Sequence, residues 1–543
     1  MPSSDCFLFL HQNHTFMMHR FLLTIAFSLL FFSVFGNIEE NVNRKVVFPV
    51  IETPAVFTGT VEDEDFLIFV ERSEEDCITG HYMSLEQEMA DTLPFRLEAL
   101  GRRARLYYNG ERETFRPNIQ ALDDKHAEGI ARLNLFQTAS FEIDIHHIPD
   151  FQDFENNRYQ DTLFAVEETS DIPYAKVMGY WSKLRDETAV TDKIFKMRKA
   201  FSEVPLELQL DVFKPLGDTL QKRPLVMLIH GGAFYFGSKD DKSITLWCQH
   251  LASKGYVTAT IDYRIGFLPT MNSIGRAGYR AVQDAHAAMR FLVAHQEEYG
   301  IDTSIIFVGG ASAGAITTLN LAFMTNETRP EYTHRSFLRP DLGNIDTCGN
   351  AIRTDFRIRG LIDMWGAMPD TTMLRGRNIP IIAFHGDADD IVPYGYDYPF
   401  AIADMLKTLL VEKMYGSSCI VDRSIKLGHK AYLVTFSGYK HSPHVDPVTK
   451  ELNYNFYIIQ DMMSDFLYDL VVPEKPEIKG EKAYYSVEPK PLATSWQVEG
   501  GIILDSDENT VKVAWIGNAP KHSITASAAM PYGTGFNTTK TID

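Results

Sequence analysis

The sequence predicts an α/β fold in which helices flank a mostly parallel β-sheet, preceded by a β-rich domain and followed by a small β-sandwich. From about residue 205 to 470, strand-like apolar runs alternate with helical segments, which is typical of βαβ units. Between about residues 37 and 180, short β-like runs are separated by turn residues. After the Pro- and Lys-rich residues 473–476, alternating runs such as residues 511–515 resume, which indicates a terminal sandwich.

These shifts in pattern predict the domain boundaries. We expect a signal peptide at 1–36, a β-rich accessory domain at 37–180, an α/β domain at 181–472, and a linker with a β-sandwich at 473–543. A chain of 543 residues exceeds what one hydrophobic core usually organises, so several domains are expected. Hydrophobic residues at 45% and charged residues at 23% are ordinary values for folded globular proteins.

The charge balance argues against a nucleic-acid partner. The chain has 52 Lys and Arg against 72 Asp and Glu, a formal net charge of -20. A surface of this sign repels phosphate backbones and favours solubility.

Residues 18–36 have the pattern of a secretory signal. His19 and Arg20 form a basic start, residues 21–35 form an apolar run, and Gly36 is a small residue suited to cleavage. The alternative is a membrane anchor, but the run is shorter than the roughly 20 residues that span a bilayer. The sequence therefore predicts a secreted, periplasmic or cell-surface protein without a stable membrane span after cleavage.

Four cysteines follow the predicted signal: Cys77, Cys248, Cys348 and Cys419. An even number in an exported protein permits disulfides, and Cys348 with Cys419 is the first pair to test. The alternative is four buried free thiols.

Residues 310–314 read G-A-S-A-G and place Ser312 between the buried-strand run 305–308 and the helical run 315–323. A nucleophile elbow needs these glycines because its serine sits on a cramped turn, where larger side chains would meet the neighbouring backbone. The motif alone is weak, whereas a strand, an elbow and a helix in succession are specific. We therefore predict that Ser312 is a nucleophile rather than an inert turn residue.

An H-G-G-A-F loop at residues 230–234 follows the apolar run 225–229. Acyl transfer needs backbone N–H groups to stabilise an oxyanion, and a loop of small residues presents them well. The loop precedes the elbow, and Ala313, directly after Ser312, would supply a further N–H. His230 is expected to hold the loop rather than act as a base.

The candidate acid and base lie downstream of Ser312. The strand-like run 381–384 leads into a loop with three candidate acids, Asp387, Asp389 and Asp390. After the strand-like run 431–436 comes His441, which is predicted to accept the Ser312 proton while one acid orients its imidazole. His429 precedes that strand, and His444 lies beyond Pro443, so neither is the predicted base.

Residues 205–470 resemble the α/β-hydrolase superfamily, and within it the carboxylesterase and hormone-sensitive-lipase-like branches. The resemblance rests on residues 229–234, 261–264, 279–284, 310–314 and 385–389 and on His441. It implies oxyanion donors at Gly232, Ala233 and Ala313, although many members have a third glycine where this chain has Ala233. Its H-G-x-x-D-x-x-V-P pattern implies that Asp389 is the acid, so that the implied triad is Ser312, Asp389 and His441.

Two further features of the sequence lie outside this catalytic set. Residues 495–501 and 511–515 resemble the PKD-like immunoglobulin-type modules of secreted bacterial proteins, which implies an accessory or spacer module. His146, His147 and the acids up to Glu155 match no ligand spacing, and a turn around Pro149 explains their polarity, so no metal is predicted.

Together these features predict a serine hydrolase that cleaves carboxylic esters through an acyl-enzyme, with no cofactor. The expected substrate is a small-molecule or carbohydrate-linked ester, with residues 267–279 and 326–353 shaping the substrate range. One alternative is a serine exopeptidase, because the same triad cleaves amides. The other is a non-enzymatic adhesion or binding module on an inactive hydrolase fold.

Overall fold

The structure is a computed structural model, and its residues fall into two compact units, Met1–Asn156 with Glu474–Asp543, and Asn157–Pro473. It describes residues 54–61, 64–74, 76–86, 89–100, 103–108, 111–115, 126–132, 138–146, 150–183, 203–267, 272–336, 339–400 and 412–542. The predicted signal peptide and the His146-His147 pair's side chains lie outside the described residues. None of the helices within the described ranges is long and apolar enough to cross a membrane.

In the described residues of the N-terminal part of the first unit, the regular elements are strands. Its described strands are β1 Ala55–Val61, β2 Glu64–Ser73, β3 Cys77–Ser84, β4 Met89–Ala90, β5 Leu93–Leu100, β6 Arg103–Tyr108, β7 Glu111–Phe115, β8 His126–Arg132 and β9 Thr138–His146. Eight of them form an antiparallel sheet in the order β7-β6-β5-β3-β2-β1-β9-β8. Buried and more exposed residues alternate along much of β3, as expected for a sheet that covers a core on one face.

The described strands of the second unit form a large sheet with parallel and antiparallel pairs and a small antiparallel sheet. They are β10 Val166–Gly179, β11 Val204–Pro215, β12 Arg223–Ile229, β13 Val257–Ile261, β14 Ile301–Ala311, β15 Ile358–Met364, β16 Ala367–Met368, β17 Ile381–Gly386, β18 Tyr396–Asp397, β19 Met414–Gly416 and β20 Ala431–Phe436. Eight form a sheet in the order β10-β11-β13-β12-β14-β15-β17-β20, and a small sheet has the order β16-β19-β18. In the large sheet β11 is antiparallel to both neighbours, and every pair from β13 to β20 is parallel.

Helices cover this sheet. They are α1 Lys242–Ser253, α2 Ser273–Ala294, α3 Gln296–Tyr299, α4 Ala313–Phe323, α5 Ser417–Lys426 and α6 Tyr454–Val471, with 3-10 turns at Glu331–Thr333 and Thr371–Gly376. Helices α2 and α4 pack on each other, as do α1 and α6. Every residue of β12 and β13 is buried, which is why residues 224–229 of β12 read as a continuous apolar run.

The chain order reverses beside β12. The strand that follows it, β13, is its neighbour on one side, and β14 is its neighbour on the other. In open α/β sheets the loops at the carboxyl ends of strands diverge at such a switch point and leave a crevice. This strand order, with one antiparallel strand near its start, is that of the α/β-hydrolase fold, so the predicted fold is confirmed for this unit.

The last described strands return to the first unit. They are β21 Glu477–Glu481, β22 Tyr484–Glu488, β23 Ala493–Glu499, β24 Gly501–Ser506, β25 Thr510–Ile516, β26 Ser523–Ala529 and β27 Gly535–Thr541, with a 3-10 turn at Pro531–Gly533. They form two sheets, β21-β22-β25-β24 and β23-β26-β27, over a core that includes Trp496 and Trp515. Strand β4 adds to the first of these sheets by pairing in parallel with β25.

Two predicted boundaries differ from the structure. Strand β10 pairs with β11, so the α/β unit begins near Asn157 and not at residue 181. The segment after residue 473 is not a separate unit, because β4 pairs with β25 and apolar residues of both segments, among them Leu67 and Leu504, share one cluster. Contacts between segments so far apart in the chain leave no local sequence signal.

The four described cysteines are free thiols, so no Cys348–Cys419 disulfide is present in the structure. Only Cys248 is fully buried, and the other three are partly exposed. The Sγ of Cys348 accepts a hydrogen bond from the Arg264 guanidinium at 3.3 Å, so that thiol has a polar partner instead of a second cysteine.

Candidate active site

Ser312 lies on a strained turn between β14 and α4. Its φ of 56° and ψ of -117° fall outside the helical and extended regions, and its N–H donates to the Met364 carbonyl at 2.9 Å. A Cβ on Gly314 would lie 2.1 Å from the Ile229 carbonyl oxygen, and one on Gly310 would lie 2.5 Å from the Gly314 backbone. Both glycines are therefore sterically required, as the elbow motif predicts.

The structure brings Ser312, His441 and Asp389 into one hydrogen-bonded chain. His441 Nε2 lies 2.9 Å from Ser312 Oγ, and His441 Nδ1 lies 2.7 Å from Asp389 Oδ2. Ser312 and Asp389 are buried, whereas the His441 side chain keeps about a fifth of its surface exposed at 19%. The base is thus within reach of both its proton donor and its orienting acid.

The three candidate acids of the 385–390 loop have different partners. Asp387 accepts hydrogen bonds from the Gly438 N–H and the Ser437 hydroxyl. Asp390 forms an exposed ion pair with Lys440. Neither contacts His441 among the described residues, so the geometry favours Asp389, as the resemblance implies.

Asp389 is held as an anion. Its Oδ1 accepts the backbone N–H groups of Ile391 and Val392 at 2.8 and 3.0 Å. Its Oδ2 accepts from His441 and also lies 3.2 Å from His385 Nε2. Burial alone would raise the pKa of Asp389, but hydrogen bonds from His385 and His441 outweigh it and hold that pKa well below its usual range.

His444 and His230 have supporting positions. His444 Nε2 lies 3.0 Å from Ser243 Oγ, its ring stacks on Trp365, and burial lowers its pKa to about 3. The His230 ring stacks on Tyr263, and burial lowers its pKa to about 4. Both rings are therefore neutral at pH 7 and serve as packing elements, consistent with the choice of His441 as base.

The loop after β12 lies next to Ser312, and its residue Ala233 lines the same cavity as Ser312 and Ala313. Gly232 and Ala233 have positive φ of 115° and 51°, so the backbone here is neither right-handed helix nor extended strand. Within the described residues, the N–H groups of Gly232, Ala233 and Ala313 donate to no other protein atom. Three backbone N–H donors that have no acceptor within the described residues, located at a switch point of the sheet, are suited to binding an anion.

Sequence reasoning missed the ion pairs under this loop. Lys239, almost fully buried, places its Nζ 2.7 Å from Asp211 and 2.8 Å from Asp240. Its backbone N–H donates to Asp262 Oδ1 at 2.8 Å. A lysine and three acids spread from residue 211 to residue 262 fit no motif, so only the folded chain connects them.

A cavity of about 120 Å³ opens beside Ser312. One wall is formed by Ser312 and by Ile316 and Asn320 of α4, because residues four positions apart lie on the same face of a helix. The other walls come from α2 and from segments near residues 330 and 413. The lining is mostly apolar and includes Ile274, Val282, Ile316, Met324, Tyr332 and Met414. Parts of the predicted specificity segments 267–279 and 326–353 thus line it.

Among the described residues, no group of three or more His, Cys, Asp or Glu side chains is arranged to hold a metal ion.

Over residues 210–376 the chain matches the BD-FAE family model. It is also 26% identical over 178 residues to gut esterase 1 of Caenorhabditis elegans, a match covering 32% of this chain and 28% of that one. Juvenile hormone esterase of Heliothis virescens is 33% identical over 100 residues, 18% of this chain and 17% of that one. This chain thus spans less than a third of the length of these relatives.

Among solved structures, a thermophilic esterase of Thermogutta terrifontis with bound butyrate is 19% identical. The alignment covers 49% of this chain and 90% of that one, with a TM-score of 0.36.

Proposed function

We propose that the chain is a serine hydrolase that cleaves carboxylic esters through an acyl-enzyme. The observation that carries the proposal is the chain of short contacts from Ser312 Oγ through His441 to Asp389. The partial matches to proteins named esterases support the same class of reaction.

The proposed steps follow from these contacts. Ser312 Oγ attacks the ester carbonyl while His441 Nε2 takes its proton, and Asp389 stabilises the imidazolium that forms. The N–H groups of Gly232, Ala233 and Ala313 hold the oxyanion. His441 then gives the proton to the leaving alkoxide, and water repeats the sequence on the acyl-enzyme to release the acid and free Ser312.

The cavity supports a short apolar acyl group as the preferred substrate part. An apolar cavity of about 150 Å³ holds a benzene molecule, so 120 Å³ suits an acyl chain of roughly four to six carbons. Ile316 lies one helical turn beyond Ser312 in its wall. Ile316→Phe is therefore expected to lower kcat/KM for hexanoyl esters more than for acetyl esters, whereas Ile425→Phe, at an exposed site, is expected to change neither.

A substrate panel on the purified full chain tests the proposed class. Nitrophenyl esters, an acylated oligosaccharide and aminoacyl anilides are compared, together with labelling by a fluorophosphonate. Turnover of esters with labelling at Ser312 supports the proposal. Preference for the anilides favours an exopeptidase, and absence of labelling favours a non-enzymatic module.

Export and the accessory parts complete the proposal. We propose that residues 1–36 contain a secretory signal and that the segment after residue 473 is a PKD-like accessory module in a unit shared with the N-terminal strands. Gly36, a small residue directly after an apolar run, supports cleavage there. N-terminal sequencing of protein recovered outside the cell tests the first point, and Met1 as the first residue would contradict it.

A further inference from the structure

A second hydrogen-bonded chain leads from Asp389 through His385 and Ser417 to Asp363. His385 Nε2 is 3.2 Å from Asp389 Oδ2, and His385 Nδ1 is 2.8 Å from Ser417 Oγ. Ser417 Oγ is in turn 2.7 Å from Asp363 Oδ2. His385, Ser417 and Asp363 are each 0% exposed, so no solvent contributes to this chain.

The partners of His385 Nε2 fix its proton. That nitrogen faces two acceptors, Asp389 Oδ2 and the Val392 carbonyl oxygen at 3.2 Å. A bare nitrogen lone pair there would face oxygen lone pairs in a buried site, which is costly. His385 therefore donates an N–H to the same carboxylate oxygen that accepts from His441.

Two arrangements of the remaining proton satisfy the rest of the chain. If Asp363 is ionised, Ser417 donates to it, and His385 Nδ1 must donate to Ser417 as part of an imidazolium. If Asp363 is the carboxylic acid, it donates to Ser417, which donates to His385 Nδ1, and the ring is neutral. In both arrangements Asp363 and His385 together hold one proton beyond the Nε2–H.

The surroundings of Asp363 favour the second arrangement. Apart from Ser417, its carboxyl accepts the Gly366 N–H at 2.8 Å, and among the described residues no Lys or Arg acts on it. Burial raises the pKa of Asp363 and is the largest influence on it, although Ser417, His385 and the Gly366 N–H oppose that rise.

We propose that His385 is a positioning residue for Asp389, and that a neutral Asp363 acting through Ser417 holds it in the Nε2–H tautomer. The inference rests on the proposed function, because Asp389 acts through His441. The His385 donor neutralises part of the Asp389 charge, so it fixes the carboxylate and moderates the basicity of His441.

The other groups around this chain are few. The rings of His385 and Tyr394 meet edge to face, with their centroids 5.6 Å apart. The neighbours of His441 are Ser312, Trp365 and the neutral His444. The Lys440–Asp390 ion pair nearby is exposed and its charges compensate each other. The donor from His385 is therefore the main influence on Asp389 beyond His441 and the loop N–H groups.

Paired amide variants test the donor. In His385→Gln the side-chain amide reaches the Nε2 position and still donates to Asp389, whereas in His385→Asn it reaches only the Nδ1 position, near Ser417. We expect His385→Gln to keep most of kcat and His385→Asn to lose about 10²-fold in kcat with little change in KM, as for misplaced catalytic groups.

The acid limb of the kcat/KM profile gives a readout that a purely structural role would not move. Without the His385 donor, more of the Asp389 charge acts on His441, so the limb moves to higher pH in His385→Asn and stays in place in His385→Gln. In Ser417→Ala no hydroxyl holds His385 in the Nε2–H tautomer, so the acid limb is expected to move to higher pH as in His385→Asn. This variant tests the proposal even if a His385 variant does not fold. Wild-type profiles in His385→Asn and Ser417→Ala would overturn the proposal.

Asp363→Asn tests the location of the proton. An amide donates to Ser417 as a carboxylic acid does, so kcat and the acid limb are expected to remain within about threefold and a few tenths of a pH unit of wild type. If Asp363 were instead ionised beside a His385 imidazolium, Asp363→Asn would remove the positive charge of that imidazolium, and the acid limb would move to higher pH. That result would overturn the assignment of a neutral Asp363.

Nitrogen NMR of the ¹⁵N-histidine-labelled full chain separates this inference from the proposed function. One ring is expected to show a protonated Nε2 and a bare Nδ1, and its signals are expected to be missing in His385→Gln. That signature in a chain that hydrolyses no ester would overturn the proposed function alone. An active chain without it would overturn the inference alone.

Discussion

The elbow that carries Ser312 and the loop that carries Asp389 hold their side chains by different means. At the elbow the constraints are steric: a positive φ at Ser312, and glycines at 310 and 314 whose neighbours are fixed backbone atoms. Asp389 instead depends on hydrogen bonds from two backbone N–H groups and two imidazoles. The elbow should therefore be sensitive to side-chain volume, and the acid loop to the presence and position of protons.

The largest effect is expected from the reactive atom that the elbow presents. Ser312→Ala removes the nucleophile and should lower kcat for esters by about 10⁶-fold, leaving only the oxyanion donors and binding to assist water. Steady-state kinetics measures the loss, and an unchanged circular dichroism spectrum serves as the control for folding. Turnover within tenfold of wild type would remove Ser312 from the mechanism.

The acid loop offers the next largest effect. Asp389→Asn keeps the shape of the side chain but favours the wrong His441 tautomer, so kcat should fall by about 10⁴-fold. The same change at Asp387 or Asp390 should cost less than tenfold, because neither contacts His441. A large loss at Asp390 with little at Asp389 would assign the acid to the neighbouring residue.

Volume at the elbow is tested by adding one methyl group. In Gly314→Ala the new Cβ would lie 2.1 Å from the Ile229 carbonyl oxygen, so the elbow must shift. We expect a loss of about 1–3 kcal/mol in unfolding free energy and about 10²-fold in kcat. Gly376→Ala, where a Cβ meets nothing within 4 Å, is the matched control and should leave both unchanged. Equal behaviour of the two variants would contradict a steric elbow.

The smallest effect concerns the buried histidine His444, whose ring stacks on Trp365. Burial lowers the pKa of His444 to about 3, against about 6.5 for an unfolded histidine, so the unfolded state binds one more proton between these values. The stability that this neutral ring contributes is therefore complete above pH 6.5 and is lost as pH falls. The difference in unfolding free energy between wild type and His444→Gln should shrink by up to about 1.4 kcal/mol per pH unit below pH 6.

Urea unfolding of both proteins at pH 7.5, 6.0 and 5.0 measures that difference. Because both chains share every other titratable group, buried carboxyls such as Asp262, whose pKa burial raises to about 6, cancel in the comparison. A difference that grows as pH falls would show that His444 is protonated in the folded state.

Much of the site was predictable because its constraints are local. The elbow follows from Gly310, Ser312 and Gly314 between a strand and a helix, and the order of Ser312, an acid and His441 follows from strand-like runs that each end in a loop. Choosing Asp389 required either a family pattern or the folded loop, because three carboxyls within four residues look alike in sequence. His385 carries a visible signal at its strand end, whereas Asp363 and Ser417 carry none.

The sequence by itself determined the α/β architecture of the central segment, the strained position of Ser312 and the small residues of the loop at 231–233, because periodicity and glycine sterics act over a few neighbouring residues. Only the tertiary structure decided that β10 belongs to the α/β sheet, that the segment after residue 473 shares a unit with the N-terminal strands, and that Asp389 has a second histidine behind it. The first two are contacts between residues tens to hundreds of positions apart, whereas His385 and Asp389 are four positions apart and meet only in the folded loop. They form only when strand pairing and burial bring such residues together, and burial then fixes which of the polar groups carry protons.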